Sequence, residues 1–332
     1  MAGAFVTGGS GFVGGRLIAR LRGEGHSVRA LARSPASAER VRSLGAEAVS
    51  GELGDIASMR AGAEGCELAF HAAASLGDWG RREDFERGNV EGTRNALDAC
   101  AEAGVRRFVH VSTEAVLLAG EPLVDVDETA PLRFDSRALY SSTKARAERL
   151  VLDANRAGFE TVVVRPRFVW GAGDTTLLPR MVEMVRSGRF AWIGGGHHRT
   201  STTHVENTVE GLVLGATRGR PGEVYFVTDG EPVEFRGFVG ELLQTQGVSA
   251  PTRSLPDAAG RVLAAVGETA WSRLPLSGQP PLTRFAYWAS ARECTIRIEK
   301  AREQLGYVPV KSRAEGMAEL RDAPAASAAA GG

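Results

Sequence analysis

Short apolar runs alternate with longer segments of helical periodicity through the first half of the chain. The runs are rich in β-branched residues and read AFVTG, SVRALA, ELAFHAA, RFVHVS and TVVVRP. The segments between them include GGRLIARLRGEG and EGTRNALDACAEAG, in which apolar residues recur three and four positions apart. Buried parallel strands need continuous apolar runs, and the helices that connect them cover both faces of the sheet. The pattern therefore predicts an α/β fold with a doubly wound parallel sheet.

The first apolar run leads into a glycine-rich turn. In AFVTGGSGFVG, Gly8, Gly11 and Gly14 lie between the predicted first strand and first helix, and Gly9, Gly11 and Gly14 also fit GxGxxG. Glycines here permit a tight turn and close approach of a pyrophosphate, while the helix start offers unpaired N–H donors. The turn predicts a Rossmann-type dinucleotide site, although an ordinary glycine-rich loop has the same composition. The expected contacts are Gly8, Ser10, Gly11, Phe12, Val13 and Gly14.

The alternation becomes irregular after residue 170. Longer loops rich in glycine and proline follow, interrupted by one more predicted helix, NTVEGLVLGATRG, and one more predicted strand, EVYFVT. We expect a dinucleotide-binding domain of residues 1–170 plus about 203–228, and a smaller interleaved substrate-binding domain of residues 171–202 plus 229–322. The remaining residues, 323–332, are of low complexity and are predicted to form a disordered tail.

Composition narrows the classes of partner. Of 332 residues 43% are hydrophobic, and 40 basic residues balance 40 acidic ones, so no overall field attracts nucleic acid or anionic lipid. Cys66, Cys100 and Cys294 are too few and too scattered for a disulfide framework or a metal site, and we expect them buried in a reducing compartment. The first apolar run is broken by glycines and has no basic flank, so neither a signal peptide nor a membrane span is expected. A cytoplasmic enzyme with a small-molecule substrate is the expectation, and a homodimer is left open.

The end of the second predicted strand bears on which dinucleotide binds. An acidic residue there accepts hydrogen bonds from the ribose 2′-hydroxyl, whereas an arginine pairs with a 2′-phosphate. The stretch SVRALARSP contains no acid and places Arg33 at the strand end, close to Ser34 and Arg29. We therefore expect Arg33, helped by Ser34 and Arg29, to favour NADP(H) over NAD(H). The alternative is that Arg33 is a solvated loop charge.

Two further strand ends are expected near the ligand. GELGD and HAAA follow the third and fourth predicted strands at the carboxyl edge, the edge of the sheet at which its parallel strands end. Asp55 in GELGD is expected to cap the helix IASMRAG instead of touching a ligand. The expected cofactor contacts here are Glu52, Leu53, Ala72 and Ala73.

Tyr140 and Lys144 begin the amphipathic segment YSSTKARAERLVLDA and lie one helical turn apart. An ammonium beside a phenol favours the phenolate, so Lys144 is expected to lower the pKa of Tyr140 and make it a workable proton donor or acceptor. Ser112 and Thr113 end the run RFVHVST, and their hydroxyls are expected to face the same edge and bind a substrate oxygen. Chance spacing on a solvated helix and ordinary turn residues are the alternatives.

Taken together, these elements resemble the extended short-chain dehydrogenase/reductase family over essentially the whole chain. The segments TGGSGFVG, GELGD, HAAA, NVEGT, VSTEAV, YSSTK, RPRFVWG and HVEN occur in the family's order. The resemblance implies that Tyr140 is the general acid/base, that Lys144 tunes it and holds the nicotinamide ribose, and that Thr113 orients the reacting oxygen. Thr113 is assigned because it stands three residues before Val116, where the family has its Ser or Thr.

The resemblance also implies roles around this centre. Tyr140 and Lys144 also contact the cofactor, and Arg165 with Pro166 matches the arginine–proline strand end beside the nicotinamide. Asn89 is expected to tie strands and helices together near the site. The other implied residues are Val169 at the cofactor and His204 and Asn207 at the domain junction, where no catalytic role is expected for His204.

Departures from the family pattern favour one branch. Sugar-nucleotide dehydratases carry an Asp–Glu pair after the threonine, where this chain has Glu114 and Ala115, and epimerases have VYG where it has VLL. The second half resembles the 3β-hydroxysteroid dehydrogenase-like branch, and within it bacterial 2-alkyl-3-oxoalkanoate reductases. The matching stretches are GDWGRREDFERGNVEGT, RPRFVWGAGDTTLLPRMVEMVRSGR, VYFVTDGEPV, PPLTRF and KAREQLGYVP.

This branch implies an oxidoreductase that passes hydride between NADP(H) and a hydrophobic ketone or secondary alcohol, 3-oxoacyl or 3-ketosteroid-like, with the proton from Tyr140. The apolar stretch AAGRVLAAVGETAWSRLPL, which includes Trp271, forms a substrate wall, a lid or an ordinary core helix. The alternatives are a sugar-nucleotide epimerase or dehydrogenase and a non-catalytic NADP(H)-sensing protein. Retention of Thr113, Tyr140 and Lys144 argues against the sensor, which has no need of all three.

Overall fold

The computed structural model describes residues 2–322. Fifteen strands lie among them, and most of the longer ones belong to a single sheet. In chain order the strands are β1 (Gly3–Thr7), β2 (Ser27–Ala32), β3 (Glu47–Ser50), β4 (Leu68–His71), β5 (Arg107–Val111), β6 (Leu123–Val126), β7 (Glu160–Pro166), β8 (Val169–Trp170), β9 (Trp192–Ile193), β10 (Arg199–Thr200), β11 (Thr203–His204), β12 (Glu223–Val227), β13 (Val233–Glu234), β14 (Ser254–Leu255) and β15 (Cys294–Ile296).

Thirteen α-helices connect and cover these strands in the described part of the chain. They are α1 (Phe12–Gly23), α2 (Pro35–Ser43), α3 (Ile56–Ala63), α4 (Arg82–Phe85), α5 (Gly92–Glu102), α6 (Leu139–Asp153), α7 (Leu177–Arg186), α8 (Val205–Arg218), α9 (Phe235–Thr245), α10 (Asp257–Arg273), α11 (Arg284–Ala291), α12 (Glu299–Leu305) and α13 (Arg313–Asp322). A π-helix, Glu86–Glu91, joins α4 to α5. Each of these helices is too short or too polar to cross a lipid bilayer.

The main sheet has seven parallel strands in the order β12-β7-β5-β4-β1-β2-β3. The side chains of each strand point alternately to the two faces of the sheet. One face packs against α1, α2, α8 and α12 and the other against α3, α5 and α6, which confirms the predicted Rossmann-type doubly wound sheet. The order reverses at β1, which pairs with β2 on one side and β4 on the other. Ligands of such sheets bind at the carboxyl edge beside this reversal.

A smaller set of elements lies beside the main sheet. Its largest part is a four-stranded sheet in the order β13-β10-β15-β6. Strand β6 lies inside the first predicted segment, yet it pairs with β15 from the second, so the chain crosses between the two parts more often than the boundaries suggest. The division into two functional domains stays a prediction, and the predicted tail lies outside the described residues.

Two local expectations are confirmed. The three cysteines, Cys66, Cys100 and Cys294, are buried and free. Asp55 caps α3, where its Oδ1 accepts a hydrogen bond of 3.1 Å from the backbone N–H of Ser58.

Candidate active site

The glycine turn between β1 and α1 is packed too tightly for side chains. Gly8 has a φ of +73°, and a Cβ built there would lie 2.6 Å from the backbone N of Ala73. A Cβ on Gly14 would lie 2.2 Å from the carbonyl oxygen of Gly8. The Gly11 N–H closes the turn with a 3.0 Å hydrogen bond to the same oxygen. The turn therefore brings two groups of predicted cofactor residues together, the glycines and the Ala72–Ala73 segment after β4.

The start of α1 faces outward from this turn. Gly11 is its N-cap residue and supplies no side-chain cap, so the first-turn N–H groups of Phe12, Val13 and Gly14 are not bonded by a capping side chain. Ser10 is exposed beside them. A phosphate at this position would meet backbone donors and the positive end of the helix dipole.

The predicted 2′-phosphate residues do not all lie together. Arg33 and Ser34 are exposed directly after β2, and the Ser34 hydroxyl accepts a 3.2 Å hydrogen bond from Ser37 as the cap of α2. Arg29 instead donates a 2.7 Å hydrogen bond to the carbonyl of Glu64, at the end of α3. Since α3 runs back from the carboxyl edge, this places the Arg29 guanidinium near the opposite edge. The expectation that Arg29 assists Arg33 is wrong.

Glu52 and Leu53 follow β3 at the carboxyl edge, as predicted. Two contacts fix Leu53. Its carbonyl accepts a 2.9 Å hydrogen bond from Asn95, and its side chain makes the second contact. That side chain packs on Gly92, where a Cβ would lie 2.8 Å from the Leu53 Cδ1. Glu52 is exposed. Both residues belong to the same edge as Arg33 and the glycine turn.

Tyr140 and Thr113 meet at the carboxyl edge near the middle of the sheet. Tyr140 lies in the first turn of α6 and Thr113 two residues after β5, and the Thr113 hydroxyl is close enough to affect the ionisation of the Tyr140 phenol. Burial and the negative charge of Glu114 raise the pKa of Tyr140 above its ordinary value, while the hydrogen bond with Thr113 acts in the opposite direction. The expectation of a lowered pKa is wrong for this structure, because burial and Glu114 outweigh the hydrogen bond with Thr113.

Lys144 is buried on α6, and its amine points toward β5. The Nζ atom lies 3.1 Å from His110 Nε2 and 2.8 Å from the carbonyl oxygen of Val111. Burial lowers the pKa of Lys144 to about 8, while the carboxylate of Glu148 acts in the opposite direction. The amine therefore has two fixed acceptors from the strand that ends at the reactive hydroxyls.

The two hydroxyls that end β5 have different surroundings. Ser112 donates a 2.6 Å hydrogen bond to Glu148, which pairs with Arg165 in the interior of the fold. Ser112 is thus buried, and the expectation that it binds a substrate oxygen is wrong. Thr113 is half-buried and donates a 2.7 Å hydrogen bond to Glu114. Of the two hydroxyls, that of Thr113 is the one that bears on the ionisation of Tyr140.

Glu114 belongs to a buried ion pair that sequence reasoning missed. Its carboxylate pairs with Arg167, whose guanidinium also donates to the Thr200 hydroxyl at 2.9 Å and 3.1 Å. Thr200 belongs to β10 of the smaller sheet. The pair therefore connects the hydroxyl of Thr113 to the second part of the molecule. A signal was present, since an acid placed at the end of a buried strand needs a cation.

Asn89 ties the loop after β4 to α6, as expected. It lies in the π-helix, where its Oδ1 accepts a 2.8 Å hydrogen bond from Ser75 N–H and its Nδ2 donates a 3.0 Å bond to Thr143. A Cβ at Gly88 would come within 1.9 Å of the Ser75 hydroxyl. The helix therefore lies directly against the loop that follows Ala72 and Ala73.

The remaining predicted residues lie around the end of β7. Pro166 ends that strand and Val169, half-buried, begins β8. The Arg165 guanidinium is turned into the interior, 5.1 Å from the ring centre of Phe226. Because its polar atoms face Glu148, Arg165 is a scaffold residue in this structure.

His204 and Asn207 lie at the start of α8, where the two parts of the molecule meet. Asn207 Nδ2 donates 2.7 Å and 2.8 Å hydrogen bonds to Asp229 and to the carbonyl of Lys311. His204 accepts a 3.3 Å hydrogen bond from Glu206 N–H as the cap of the helix. Asn207 therefore ties the start of α8 to two later segments of the chain, and the role of both residues at a domain junction stays a prediction.

Apolar groups adjoin the reactive hydroxyls. The ring of Phe285 on α11 meets the Tyr140 ring edge-on, with centres 5.4 Å apart. The same apolar cluster includes Ala138, Ile193 and Leu282. The stretch that contains Trp271 forms α10, which buries Ala264 in this cluster and leaves Val262 and Val266 exposed. The groups beside Tyr140 are thus suited to an apolar ligand.

Comparison with known proteins shows the family and the fold of this chain. Residues 5–257 match the model of the 3-beta hydroxysteroid dehydrogenase/isomerase family. A ketoreductase of 4-hydroxy-2-methyl-3-oxo-4-farnesyl-3,4-dihydroquinoline-1-oxide from Stigmatella aurantiaca is 47% identical, over 96% of this chain and 96% of the relative. A 2-alkyl-3-oxoalkanoate reductase from Stenotrophomonas maltophilia is 36% identical, over 97% of this chain and 99% of the relative.

Solved structures of the same fold include gox2253, with a TM-score of 0.77, 29% identity and coverage of 97% of this chain and 98% of that chain. A dTDP-glucose 4,6-dehydratase from Streptomyces venezuelae has a TM-score of 0.75 and 22% identity, with 96% of each chain covered. The latter identity is low enough that the likeness concerns the fold alone. The resemblance to extended short-chain dehydrogenases/reductases is confirmed.

Proposed function

Because the chain belongs to the 3-beta hydroxysteroid dehydrogenase/isomerase family, we propose that it is an NADP(H)-dependent oxidoreductase that interconverts a ketone and a secondary alcohol on a hydrophobic substrate. The observation that carries the proposal is that Tyr140 and Thr113 lie together at the carboxyl edge of the sheet, the edge that also carries the glycine turn and anchors Lys144. An oxidoreductase of this type needs a proton donor, an orienting hydroxyl and a dinucleotide site in one place.

The residues at the carboxyl edge fit a dinucleotide. The turn at Gly8 and Gly14 leaves no room for a Cβ, and the start of α1 offers N–H donors to a pyrophosphate. Glu52 and Leu53 are suited to the adenosine end, and Pro166 and Val169 to the nicotinamide end. When bound, the nicotinamide supplies or accepts the hydride.

The preference for NADP(H) rests on Arg33. It is exposed after β2, and among residues 2–322 it forms no ion pair that would compete with a phosphate. The next residue, Ser34, offers a hydroxyl on the same surface, and no carboxylate ends the strand to accept a ribose 2′-hydroxyl. A guanidinium is suited to bidentate pairing with a phosphate dianion.

The proton chemistry centres on Tyr140. Its raised pKa keeps the phenol protonated at neutral pH, which is the form that donates to a carbonyl oxygen as a ketone becomes an alcohol. Thr113 orients that oxygen, and its own position is set by Glu114 and Arg167. In the reverse direction Tyr140 accepts the proton of the alcohol, and Lys144 is the cation that favours the resulting phenolate.

The substrate class follows from the surroundings of Tyr140 and from the relatives. Phe285, Leu282 and Ile193 are apolar. The relatives named above act on a farnesylated quinoline oxide and on 2-alkyl-3-oxoalkanoates, both oxo compounds that carry apolar groups. We therefore place the substrate among 3-oxoacyl or ketosteroid-like compounds. Ala115, in place of a carboxylate, removes the base that a sugar-nucleotide dehydratase would need.

The test is oxidation of NADPH, followed by absorbance, with a panel of 2-alkyl-3-oxo acids, 3-ketosteroids, apolar aldehydes and UDP-sugars. We expect turnover with at least one apolar ketone and none with UDP-sugars. A panel in which only a UDP-sugar reacts would replace the proposal by a sugar-nucleotide enzyme. NADPH binding without turnover of any compound would favour a sensor.

A further inference from the structure

Two buried histidines lie side by side under Lys144. His71 on β4 and His110 on β5 are register partners, and their rings stack with centres 5.4 Å apart. Both ring nitrogens of His71 are satisfied, by Thr7 at 2.7 Å and by Thr93 at 3.0 Å. This imidazole is held by neutral hydroxyls, and among the described residues no hydrogen bond joins it to the amine of Lys144.

His110 has a different set of partners. Its Nε2 lies 3.1 Å from Lys144 Nζ, and its Nδ1 is buried with no hydrogen-bond partner among the described residues. An ammonium can only donate, so Nε2 must be the nitrogen with the lone pair and Nδ1 must carry the hydrogen. Burial, Lys144 and His71 lower the pKa of His110 well below its ordinary value, so the ring stays neutral.

A structural role alone does not explain this histidine. An apolar side chain at position 110 would fill the same space beside His71 and would leave no buried N–H without a partner. The unpaired Nδ1–H is a cost to the fold that an imidazole brings and a leucine or phenylalanine would avoid. The contact that only the imidazole provides is the acceptor for Lys144.

We propose that His110 is a positioning residue for Lys144. The ammonium has three N–H bonds. Nε2 of His110 accepts one and the carbonyl of Val111 accepts another, which fixes the direction of the third. The proposal rests on the proposed function, in which this third N–H binds the nicotinamide ribose. His110 thereby keeps Lys144 charged and aimed while it stays buried.

The ionisation of Lys144 depends on the groups packed around it. His71 and His110 face it from β4 and β5, and Glu148 faces it from its own helix. Glu148 is itself paired with Arg165 of β7. Tyr140 lies a turn before Lys144 on α6. Because the histidines are neutral, replacing His110 changes hydrogen bonding to Lys144 without changing the charge around it.

The experiment is the dissociation constant of NADPH, measured by fluorescence between pH 6.5 and 10 with folding checked by circular dichroism. In the parent protein, affinity is expected to fall once the pH exceeds the pKa of Lys144, about 8. His110→Phe keeps a ring but removes the acceptor, so the onset of this fall should move to lower pH by about one unit, a tenfold change in the lysine's ionisation constant. His110→Gln restores an acceptor, and its onset should stay near that of the parent.

His71→Phe is the matched control, because it disturbs the same buried layer without touching Lys144, and its onset should not move. Lys144→Met should remove the pH-dependent fall altogether. If Lys144→Met binds NADPH like the parent at every pH, the role of the lysine in the proposed function fails. If Lys144→Met removes the fall but His110→Phe leaves the onset in place, or His110→Gln moves it as far as His110→Phe, only the present inference is overturned.

A measurement on the unmodified protein remains decisive if His110→Phe does not fold. The ¹⁵N chemical shifts of His110 at pH 7 report its tautomer. We expect a protonated Nδ1 and an unprotonated Nε2. A His110 protonated at Nε2 cannot accept from Lys144 and would overturn the proposal.

Discussion

The two ends of the site are built in different ways. At the glycine turn the shape is made by backbone, since Gly8 and Gly14 are packed against carbonyl and amide groups with no space for a Cβ. At the Tyr140 end the shape of the site is made by side chains. These are held by other side chains from distant parts of the sequence, such as the paired Glu114 and Arg167. The first end is therefore sensitive to added atoms, and the second to lost polar groups and to pH.

The largest effect is expected at the side-chain end. Tyr140→Phe removes the phenolic oxygen and keeps the ring that packs on Phe285, so NADPH affinity should survive while single-turnover ketone reduction slows about 10²–10⁴-fold. Tyr225→Phe is the control. Tyr225 lies on the edge strand β12 and its hydroxyl donates a 3.0 Å hydrogen bond to Gln304 of α12, so its loss should leave the rate unchanged. Reduction by Tyr140→Phe at the parent rate would place the acid elsewhere.

At the backbone end, Gly14→Ala adds one methyl group, 2.2 Å from the Gly8 carbonyl oxygen. Backbone cannot move aside cheaply, so we expect NADPH affinity to fall by roughly a hundredfold, which is about 2.7 kcal/mol. Gly23→Ala in the same helix meets nothing within 4 Å and should bind normally. Equal affinities of Gly14→Ala and the parent, by calorimetric titration, would show that the turn is not the cofactor site.

Acid should weaken the side-chain end. Burial lowers the pKa of His71 to about 3 in the folded protein, from 6.5 when unfolded. The folded pKa is the lower one, so the stabilisation is complete above pH 6.5 and is lost as the pH falls below it. His71 alone should lower the free energy of unfolding by about 1.6 kcal/mol between pH 6.5 and pH 5. Urea unfolding at pH 6.5 and pH 5 measures this loss. The free energy of unfolding should fall less between the two pH values in His71→Phe than in the parent, and an equal fall would contradict the prediction.

The smallest expected effect is on cofactor preference. Arg33→Ala removes a charge-assisted phosphate contact worth about 1.5–3 kcal/mol, so the ratio of NADH to NADPH dissociation constants should fall by roughly tenfold or more. Arg29→Ala is the matched control, because Arg29 is bonded at the opposite edge, and its ratio should equal that of the parent. Equal affinities of the parent for NADH and NADPH would remove the basis for assigning NADP(H).

This contrast also explains what the sequence could predict. The glycine turn, the spacing of Tyr140 and Lys144 and the cap at Asp55 are local patterns, and each was predicted correctly as structure. The prediction that Arg29 lies beside Arg33 was wrong. Arg29 precedes Arg33 by four residues, and each residue of a strand adds about 3.3 Å to the distance between them. Ser112 was misjudged because successive residues of an extended chain point to opposite sides.

The pairing of Glu114 with Arg167, and of His110 with Lys144, joins residues from different strands and helices. No local pattern contains such pairs, because they depend on the register of the sheet and on which side chains it buries. The pKa of Tyr140 could not be predicted for the same reason. The direction in which this pKa shifts depends on the burial of Tyr140 and on the charge of Glu114. Both follow from the packing of α6 against the end of β5.

The central claim is that this chain transfers hydride to an apolar ketone. The most direct measurement is mass spectrometry of the product formed from a 2-alkyl-3-oxo acid with NADPH deuterated at C4, each face being labelled in turn. We predict a secondary alcohol that carries one deuterium on the former carbonyl carbon from only one of the two labelled forms. Recovery of unreduced ketone with both forms, or of alcohol without deuterium from either, would contradict the account.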